Sequence, residues 1–308
     1  MEIDLTSDFD FEGESKSLID MHGMLNLLNV INSLVNYVSV HYDAKKILQP
    51  SITLCDNLIK SLSNVELAKK SVVNFESHKK AIVLNVKKVC YAHPQIINDK
   101  TVQEYLDVLE TLFYELTVRV DEIKQLLKNP EKCNVYSSDE ITDCVRQFLI
   151  AVQKNSFGKY KIVFNPSEKG KQDYLVDFQV QSAVQEGFVK MPIVFNDVIR
   201  DTIANARKYT LKGGIISARI FDDQNNFTYI IEDSGMGIPN NEIQDVVKIG
   251  ARGTNVSHMK TNGAGIGLAK ACYITKKFSG KIWIDSEENK GTKIKIVLPK
   301  SSFPKNAA

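Results

Sequence analysis

Glycine is distributed very unevenly along this chain of 308 residues. The first 130 residues contain two glycines, Gly13 and Gly23, and three prolines, at positions 50, 94 and 130. Because helix interiors exclude proline and are weakened by glycine, this composition constrains the segment to helices that are separated at its prolines. We expect three helices, at about 15–44, 51–92 and 98–128.

The third predicted helix has the clearest apolar stripe. Its apolar residues recur at a spacing of three or four and share one face: Val102, Tyr105, Leu109, Leu112, Leu116, Val120, Ile123 and Leu127. A long amphipathic helix is stabilised mainly by packing such a stripe against a partner. We therefore predict that 1–130 forms a helical dimerisation bundle completed by a second copy of the chain, with a monomeric helical domain as the alternative.

Residues 131–308 have a different pattern. Apolar and polar residues alternate, as in half-buried strands, at 216–220, 227–231, 281–285 and 292–298. Helical patterns lie between them, at about 139–154, 193–209 and 266–278. We predict a second domain over 131–308, a two-layer α/β sandwich with helices on one face of a mostly antiparallel sheet.

Charge and cysteine usage limit the classes of function. The 39 basic and 37 acidic residues leave a net charge of +2, which gives no reason to expect a nucleic-acid partner. The N-terminus is acidic, unlike a signal peptide, and the apolar runs are shorter than the ~20 residues of a membrane helix. The five cysteines are scattered without a C-x-x-C pair, as expected for thiols in a reducing compartment. We expect a cytoplasmic protein without membrane insertion.

The first chemical motif lies on the helix predicted at 193–209. Asp201 and Asn205 are four residues apart and therefore share a face, with Lys208 beside them. A carboxylate, an amide oxygen and an ammonium on one face suit a magnesium–phosphate group. Taken alone, the motif is equally compatible with a solvated helix face.

Three further motifs follow in order. The sequence Asp-Ser-Gly-Met-Gly at 233–237 ends an apolar run, so its carboxylate can accept a hydrogen bond from an exocyclic amine, while Gly235 and Gly237 allow a flat ligand to approach. The sequence Gly-Ala-Gly-Ile-Gly at 263–267 opens a helix and would present amides to phosphates. It lacks the Gly-Lys-Ser/Thr of a Walker A motif. The fourth motif, Gly291-Thr292, begins the last strand.

Together these motifs resemble the ATP-binding domain shared by gyrase, the Hsp90 chaperones, sensor histidine kinases and MutL-type repair proteins, the GHKL superfamily. The segment 204–210 is similar to the N-box of histidine kinases, 233–238 to their G1 box and 263–269 to their G2 box. The resemblance covers about 135–300 and implies the Bergerat ATP-binding fold, with ATP and Mg²⁺ as cofactors.

The resemblance also implies a role for each matching residue. Asn205 would bind Mg²⁺, Lys208 would contact the phosphates, and Asp233 would accept a hydrogen bond from the adenine amino group. Tyr209 would pack near the adenine, and Thr292 would support Asp233. The family's phosphate cradle, at the hinge of a mobile lid, corresponds here to Gly263, Gly265 and Gly267. Asp201 stands where ATPase relatives carry a water-activating glutamate and many kinases carry asparagine.

A kinase of this family needs a phosphoacceptor histidine, because imidazole can form a covalent phosphoryl intermediate. Of the five histidines, His22 lies on the first predicted helix, where a helical wheel places it on an exposed polar stripe with Asn26, Asn29, Ser33 and Asn36. The segment resembles the family's H-box, His-Glu/Asp-x-x-Asn/Thr-Pro-Leu. His22, Asn26 and Leu28 match this pattern, whereas Gly23 replaces the usual acid and Leu27 the usual proline.

The resemblance therefore implies a dimeric sensor histidine kinase that transfers the γ-phosphoryl of ATP to His22 and then to an aspartate of a separate response regulator. The sequence shows no receiver-like segment and no recognisable sensor domain, so input would come either from a separate sensor protein or from a sensing module without a recognisable pattern. Two alternatives stay open. One is a GHKL ATPase or serine-directed kinase in which Asp201 activates water or a hydroxyl. The other is a nucleotide-binding phosphotransfer or scaffold module without autokinase activity.

Overall fold

The computed structural model describes residues 2–6, 14–259 and 265–304, with side chains of the first helix described from Met21 onward. The described residues form two compact units. Those within Glu12–Pro130 form the helical unit, and those within Met1–Phe11 and Glu131–Ala308 form the α/β unit. The sequence analysis placed the N-terminal residues with the helices. They lie in the α/β unit instead, because Ile3–Asp4 adds a strand to its sheet.

The helical unit contains five described helices where three were predicted. They are α1 (Glu14–His41), α2 (Lys45–Ser61), α3 (Val65–Val73), α4 (Phe75–Ala92) and α5 (Lys100–Lys128). Pro50 lies inside α2 and does not separate two helices. The second predicted helix is interrupted at Asn64, whose side chain accepts hydrogen bonds from the backbone amides of Glu66 and Leu67 and so begins a new helix, α3.

One apolar core holds the helical unit together. It includes side chains from every helix, among them Leu28 and Ile31 of α1, Cys55 of α2 and Val120 of α5, all fully buried. These residues recur at helical spacing, so each helix presents one stripe to the core. The apolar stripe predicted for the third helix is confirmed over most of α5, because Val102, Leu109, Leu112, Leu116, Val120 and Ile123 are buried. Tyr105 is partly buried, and Leu127, in the last turn, is exposed.

The α/β unit contains a seven-stranded sheet, a separate two-stranded sheet and three helices. The larger sheet has the order β1-β8-β9-β7-β6-β4-β3, and β2 pairs with β5. The strands are β1 (Ile3–Asp4), β2 (Cys133–Ser137), β3 (Ile162–Val163), β4 (Tyr174–Ser182), β5 (Phe188–Pro192), β6 (Ile215–Asp222), β7 (Asn226–Asp233), β8 (Lys281–Glu287) and β9 (Gly291–Pro299). The helices are α6 (Ser138–Lys154), α7 (Phe195–Tyr209) and α8 (Gly267–Lys277).

The predicted α/β sandwich with a mostly antiparallel sheet is confirmed. The pairs β3–β4 and β4–β6 are parallel and the other pairs of the larger sheet are antiparallel. Alternate residues of β6 and β7 are buried, so one face of the sheet is covered. The sequence analysis missed five strands, including β4, although its alternating apolar residues carry the same signal.

Aromatic contacts fix α7 on the sheet. Phe195, at the start of the helix, packs edge-on against Phe227 and Tyr229 of β7, with ring centres 4.8 and 5.7 Å apart. Two turns further along α7, the hydroxyl of Thr202 lies 3.0 Å from the hydroxyl of Tyr229. Because α7 is attached along its length to the strand that ends at Asp233, the positions of the N-box and G1 residues are set by the same packing.

Candidate functional site

The N-box and the third glycine motif are in direct contact. Gly267, the first residue of α8, lies so close to α7 that a Cβ atom there would be 3.1 Å from Cβ of Asp201 and 3.3 Å from Nδ2 of Asn205. Contacts of this length are tighter than ordinary van der Waals packing, so glycine is the residue that permits them. The structure thus brings Asp201, Asn205 and Gly267 together at the N-terminus of α8, as the sequence motifs predict.

Asp233 is the last residue of β7 and provides a partly buried hydrogen-bond acceptor. Its Oδ1 accepts a bond from the backbone amide of Gly235 at 2.8 Å, and it pairs in register with Thr292 of β9. Burial raises the pKa of this carboxyl to about 6, and bonds from the backbone amides of Gly235 and Thr292 partly offset the increase. A carboxylate held in this way suits a donor such as an exocyclic amine.

Close backbone contacts explain both glycines of the second motif. A Cβ at position 235 would lie 2.6 Å from the carbonyl oxygen of Tyr209, and the amide of Met236 donates to that same oxygen at 3.0 Å. Gly237 has a φ of +63°, and a Cβ there would lie 2.0 Å from the carbonyl oxygen of Glu287. The motif is therefore fastened between the end of α7 and the end of β8, and neither position accepts a larger residue.

Thr292 supports this loop through a residue that sequence analysis missed. The hydroxyl of Ser286 lies 2.9 Å from that of Thr292 and accepts a bond from the amide of Ile238 at 2.8 Å. Thr292 thus contacts Asp233 through its backbone and the following loop through Ser286. No pattern in the sequence distinguishes Ser286 from other serines, because its role follows from strand pairing between β8 and β9.

Positive charge is concentrated beside the N-box. Nζ of Lys208 lies 4.8 Å from the ring centre of Tyr209, and both side chains are half-buried. Burial first, and then the charges of Arg252 and Arg207, lower the pKa of Lys208 to about 8. Arg252 lies in the polar segment between the two glycine boxes and was not among the predicted site residues. Clustered cations of this kind favour an anionic ligand.

The residues of α7 fit a magnesium ion. Asp201 is 9% exposed, and among the described residues its Oδ2 has no hydrogen-bond partner. A buried carboxylate oxygen without a partner is costly, and a bound cation would satisfy it. Asn205, one turn later on the same face, adds an amide oxygen of the type that Mg²⁺ prefers.

The predicted lid is the polar segment between the G1 and G2 boxes, and its described part is attached to the second motif. Nδ2 of Asn255 donates to the carbonyl oxygen of Gly237 at 3.0 Å. Gly265 has a φ of +70°, and its carbonyl oxygen accepts a bond from Gly250 at 3.0 Å. Gly263 lies outside the described residues. Loop closure over a ligand stays a prediction.

His22 is buried, and its predicted exposure is wrong. The side chain is 5% exposed, and its Nε2 lies 3.2 Å from Nδ2 of Asn26. The helical wheel gave the direction of the polar stripe correctly but could not show what covers it. Next to His22, Gly23 faces Arg119 of α5, and farther along the stripe only Asn29 and Ser33 are exposed.

A buried ion cluster, also missed from the sequence, joins α7 to α8. Oδ1 of Asp197 lies 2.8 Å from Nη2 of Arg200, and its Oδ2 lies 2.5 Å from Nζ of Lys270. Lys270 is fully buried and one turn after Gly267. The cluster therefore holds the start of α8 beside Asp201 and Asn205. Asp197 precedes Asp201 by four residues, and this shared face was the available signal.

Comparison with known proteins gives a family match within the α/β unit. Residues 192–302 match the family described as "Histidine kinase-, DNA gyrase B-, and HSP90-like ATPase". The matched residues include α7, the second motif and α8, and the predicted resemblance to sensor histidine kinases of the GHKL superfamily is confirmed.

The curated relatives are sensor kinases named WalK. The chain is 36% identical over 104 residues to WalK of Bacillus subtilis, covering 33% of this chain and 17% of that protein. It is 34% identical over 112 residues to WalK of Staphylococcus aureus, covering 36% and 26%. The match to WalK of Staphylococcus epidermidis is 28% identical over 165 residues, covering 53% and 25%. The chain thus spans about a quarter or less of the length of these relatives.

Histidine kinases are also among the solved structures that match this chain. The mycobacterial sensor histidine kinase MprB is 22% identical with a TM-score of 0.37, covering 55% of this chain and 97% of its own. The catalytic domain of histidine kinase ThkA is 19% identical with a TM-score of 0.39, covering 55% of this chain and 96% of its own.

Within the part of the chain that the structure describes, no helix is both long enough and apolar enough to span a membrane.

Proposed function

We propose that this protein is an ATP-dependent histidine kinase that phosphorylates its own His22 and passes the phosphoryl group to an aspartate of a separate response regulator. The observation that carries this proposal is the assembled site of the α/β unit. A carboxylate acceptor, Asp233, ends one strand, while Gly267 brings the N-terminus of α8 against Asp201 and Asn205. This is the arrangement needed for an adenine at one end and a metal-bound phosphate chain at the other.

Some residues of the site would bind the adenine and the metal ion, and others would neutralise the charge of the phosphates. Asp233 would accept the adenine amino hydrogen, and Asn205, with Asp201 beside it, would hold Mg²⁺. When bound, Mg²⁺ supplies positive charge to the phosphate oxygens. Lys208 and Arg252 would add to that charge, and phosphoryl transfer depends mainly on positioning and neutralisation of this kind.

At the acceptor, a nitrogen of the His22 ring would form a bond to the γ-phosphorus as the bond to the ADP oxygen breaks. Asn26, 3.2 Å from Nε2 of His22, would orient the ring. The imidazole proton leaves to solvent or buffer, and ADP leaves with the electron pair of the broken bond. Because His22 is 5% exposed in this structure, we propose that transfer takes place in a conformation in which the N-terminal part of α1 is uncovered.

The proposed partners are a response regulator receiver domain, a second copy of the chain through the helical unit, and a separate sensor protein. The WalK relatives support the first two, because their names place them among sensor kinases. We also propose a cytoplasmic, reducing compartment. Its support is that all five cysteines are free thiols, with Cys55 and Cys272 buried.

The test is labelling with γ-³²P-ATP followed by mapping of the modified residue. We expect a base-stable, acid-labile label that is lost in His22→Gln, whereas the ATP affinity of this variant is unchanged. His41→Gln is the matched control, since His41 is a half-exposed histidine on the same helix. Label that survives in His22→Gln, or label that resists acid, would contradict the assignment.

A GHKL ATPase or serine-directed kinase is the second candidate, and the observation that favours it is Asp201. Its Oδ2 is buried and, among the described residues, has no hydrogen-bond partner, so it could accept a proton from water or a hydroxyl. Release of free phosphate without protein label, abolished in Asp201→Asn, would identify an ATPase. Acid-stable label would identify a serine-directed kinase. Nucleotide binding with neither product would identify a phosphotransfer or scaffold module.

A further inference from the structure

Among the described side chains of the helical unit, the buried charged residues both lie on α5. Among the same side chains, the buried histidine, acid and base are His22, Glu115 and Arg119, which are 5%, 5% and 6% exposed. Glu115 and Arg119 are four residues apart and share a face of α5. The other buried residues of this unit are apolar or carry a hydroxyl. Because burying a charge is costly, a cation kept beside the candidate phosphoacceptor requires an explanation.

Gly23 is the residue that admits this cation. A Cβ atom at position 23 would lie 2.2 Å from Nη1 of Arg119, 2.8 Å from its Cζ and 3.4 Å from its Cδ. The guanidinium therefore lies against the backbone of α1 at the residue that follows His22. Any side chain at position 23 would push it away. Gly23 replaces the acid of the H-box pattern, and Arg119 occupies the space that a side chain at position 23 would fill.

We propose that Arg119 binds the phosphoryl group once it is attached to His22. This inference rests on the proposed function. A guanidinium presents a planar set of donors that matches phosphate oxygens in pairs, and it keeps its charge at every physiological pH. The phosphoryl group brings negative charge next to a buried cation, where the low dielectric strengthens the attraction. Arg119 cannot accept the imidazole proton, because guanidinium has no acceptor. It stabilises the product and does not replace the missing acid as a base.

The experiment compares the full-length chain with Arg119→Gln, Arg119→Lys and Gly23→Ala. Lys124→Gln is the control, because Lys124 is a partly exposed cation on the same helix. Each protein is labelled with γ-³²P-ATP, freed of nucleotide, and followed for loss of label from His22. We expect Arg119→Gln to shorten the half-life of phosphohistidine by about tenfold. Arg119→Lys should give an intermediate half-life, and Lys124→Gln that of the wild type.

Two further measurements separate binding of the phosphoryl group from a structural role. ATP affinity, which depends on the α/β unit, should not change in any variant. Gly23→Ala leaves Arg119 in the chain but displaces its guanidinium, so it should shorten the half-life in the same direction. If Arg119→Gln does not fold, as judged by circular dichroism, the lysine and Gly23 variants carry the test. Equal half-lives in the wild type and in every folded variant would overturn the proposal.

Chemical phosphorylation distinguishes this failure from failure of the proposed function. Potassium phosphoramidate phosphorylates imidazoles without ATP, so the half-life of phosphorylated His22 can be compared between wild type and variants even if the chain has no kinase activity. A wild type that takes no label from ATP but shows the Arg119-dependent half-life after phosphoramidate treatment would refute the kinase and retain the phosphoryl site. Label from ATP at His22 with no dependence on Arg119 would refute the phosphoryl site and retain the kinase.

Discussion

The two units of this protein bury charge in different ways. In the α/β unit, most of the described buried charged residues lie on α7 or α8 beside the nucleotide motifs, and all but Asp201 take part in ion pairs: Asp197, Arg200, Asp201, Asp222 and Lys270. In the helical unit, the described buried charges are those of Glu115 and Arg119 on α5, with His22 buried as well. In the α/β unit, buried charges thus surround the candidate site. In the helical unit, the described core is mainly apolar and its buried charges lie on α5.

This difference indicates where each unit can tolerate change. In the α/β unit, the ion pairs connect the elements that form the site, so loss of a charge alters stability and binding together. In the helical unit, stability comes mainly from apolar packing, and among its described buried residues only changes at Glu115 and Arg119 remove a buried charge. The variants below test the α/β unit, and the Arg119 and Gly23 variants described above test the helical unit.

The largest expected effect is on stability, from Asp197→Asn. This substitution leaves Lys270 buried without the carboxylate that it now contacts at 2.5 Å. Loss of one member of a buried ion pair costs about 3–5 kcal/mol, so we expect the free energy of unfolding of the α/β unit to fall by about that amount. Urea denaturation monitored by circular dichroism measures it. Lys270→Met should cost less than half as much, because Asp197 keeps its contact with Arg200. An equal or larger loss in Lys270→Met would contradict this interpretation.

Asp233→Asn should separate binding from stability. The amide would present donors to the adenine amino group in place of a charged acceptor, and we expect ATP affinity to fall by about 100-fold, or ~2.7 kcal/mol. Without nucleotide, the α/β unit of Asp233→Asn should be more stable than that of the wild type at pH 7, by at most about 3 kcal/mol. The reason is that the fold raises the pKa of the wild-type carboxyl from 3.8 to about 6. This cost of the ionised form is absent below the unfolded pKa and is fully present once the pH exceeds 6.

Isothermal titration calorimetry and thermal melts check these two effects. Glu232→Gln is the matched control, since Glu232 is the preceding residue of β7 and is exposed. It should change both quantities much less, because the charge of Glu232 is a smaller cause of the raised pKa of Asp233 than burial is. Unchanged affinity in Asp233→Asn would remove the adenine from this site, and lower stability of its α/β unit without nucleotide would show that the carboxylate is favourably paired.

The sequence predicted the parts of the site that depend on local backbone requirements. Gly267 and Gly237 are needed because a Cβ would meet neighbouring atoms, and such positions leave a visible glycine pattern. Ser286, Arg252 and Lys270 have no such pattern, because strand pairing brings Ser286 to the site, a loop brings Arg252 and helix packing brings Lys270. The same limit applies to exposure, since helical periodicity shows which residues share a face but not which neighbouring element covers that face.

The number of helices illustrates a further limit. The apolar periodicity of 51–92 is compatible with one long helix, and the break at Asn64 depends on its side chain capping the next helix. Asparagine also occurs within helices, so composition alone does not decide between the two outcomes. Pro50 shows the converse, because it lies inside α2 despite its strong tendency to end helices.

The smallest effect is the pH dependence of ATP binding. Under the proposed function, binding would require the ionised form of Asp233, whose pKa is raised to about 6, and the charged form of Lys208, whose pKa is lowered to about 8. ATP should therefore lower the first pKa and raise the second, and affinity should be greatest between these values. Outside this range we expect a decline of about tenfold per pH unit. Calorimetry from pH 5 to 9 measures it, with Lys208→Met expected to flatten the alkaline side alone. A maximum above pH 9, or an alkaline decline that persists in Lys208→Met, would show that another group controls binding.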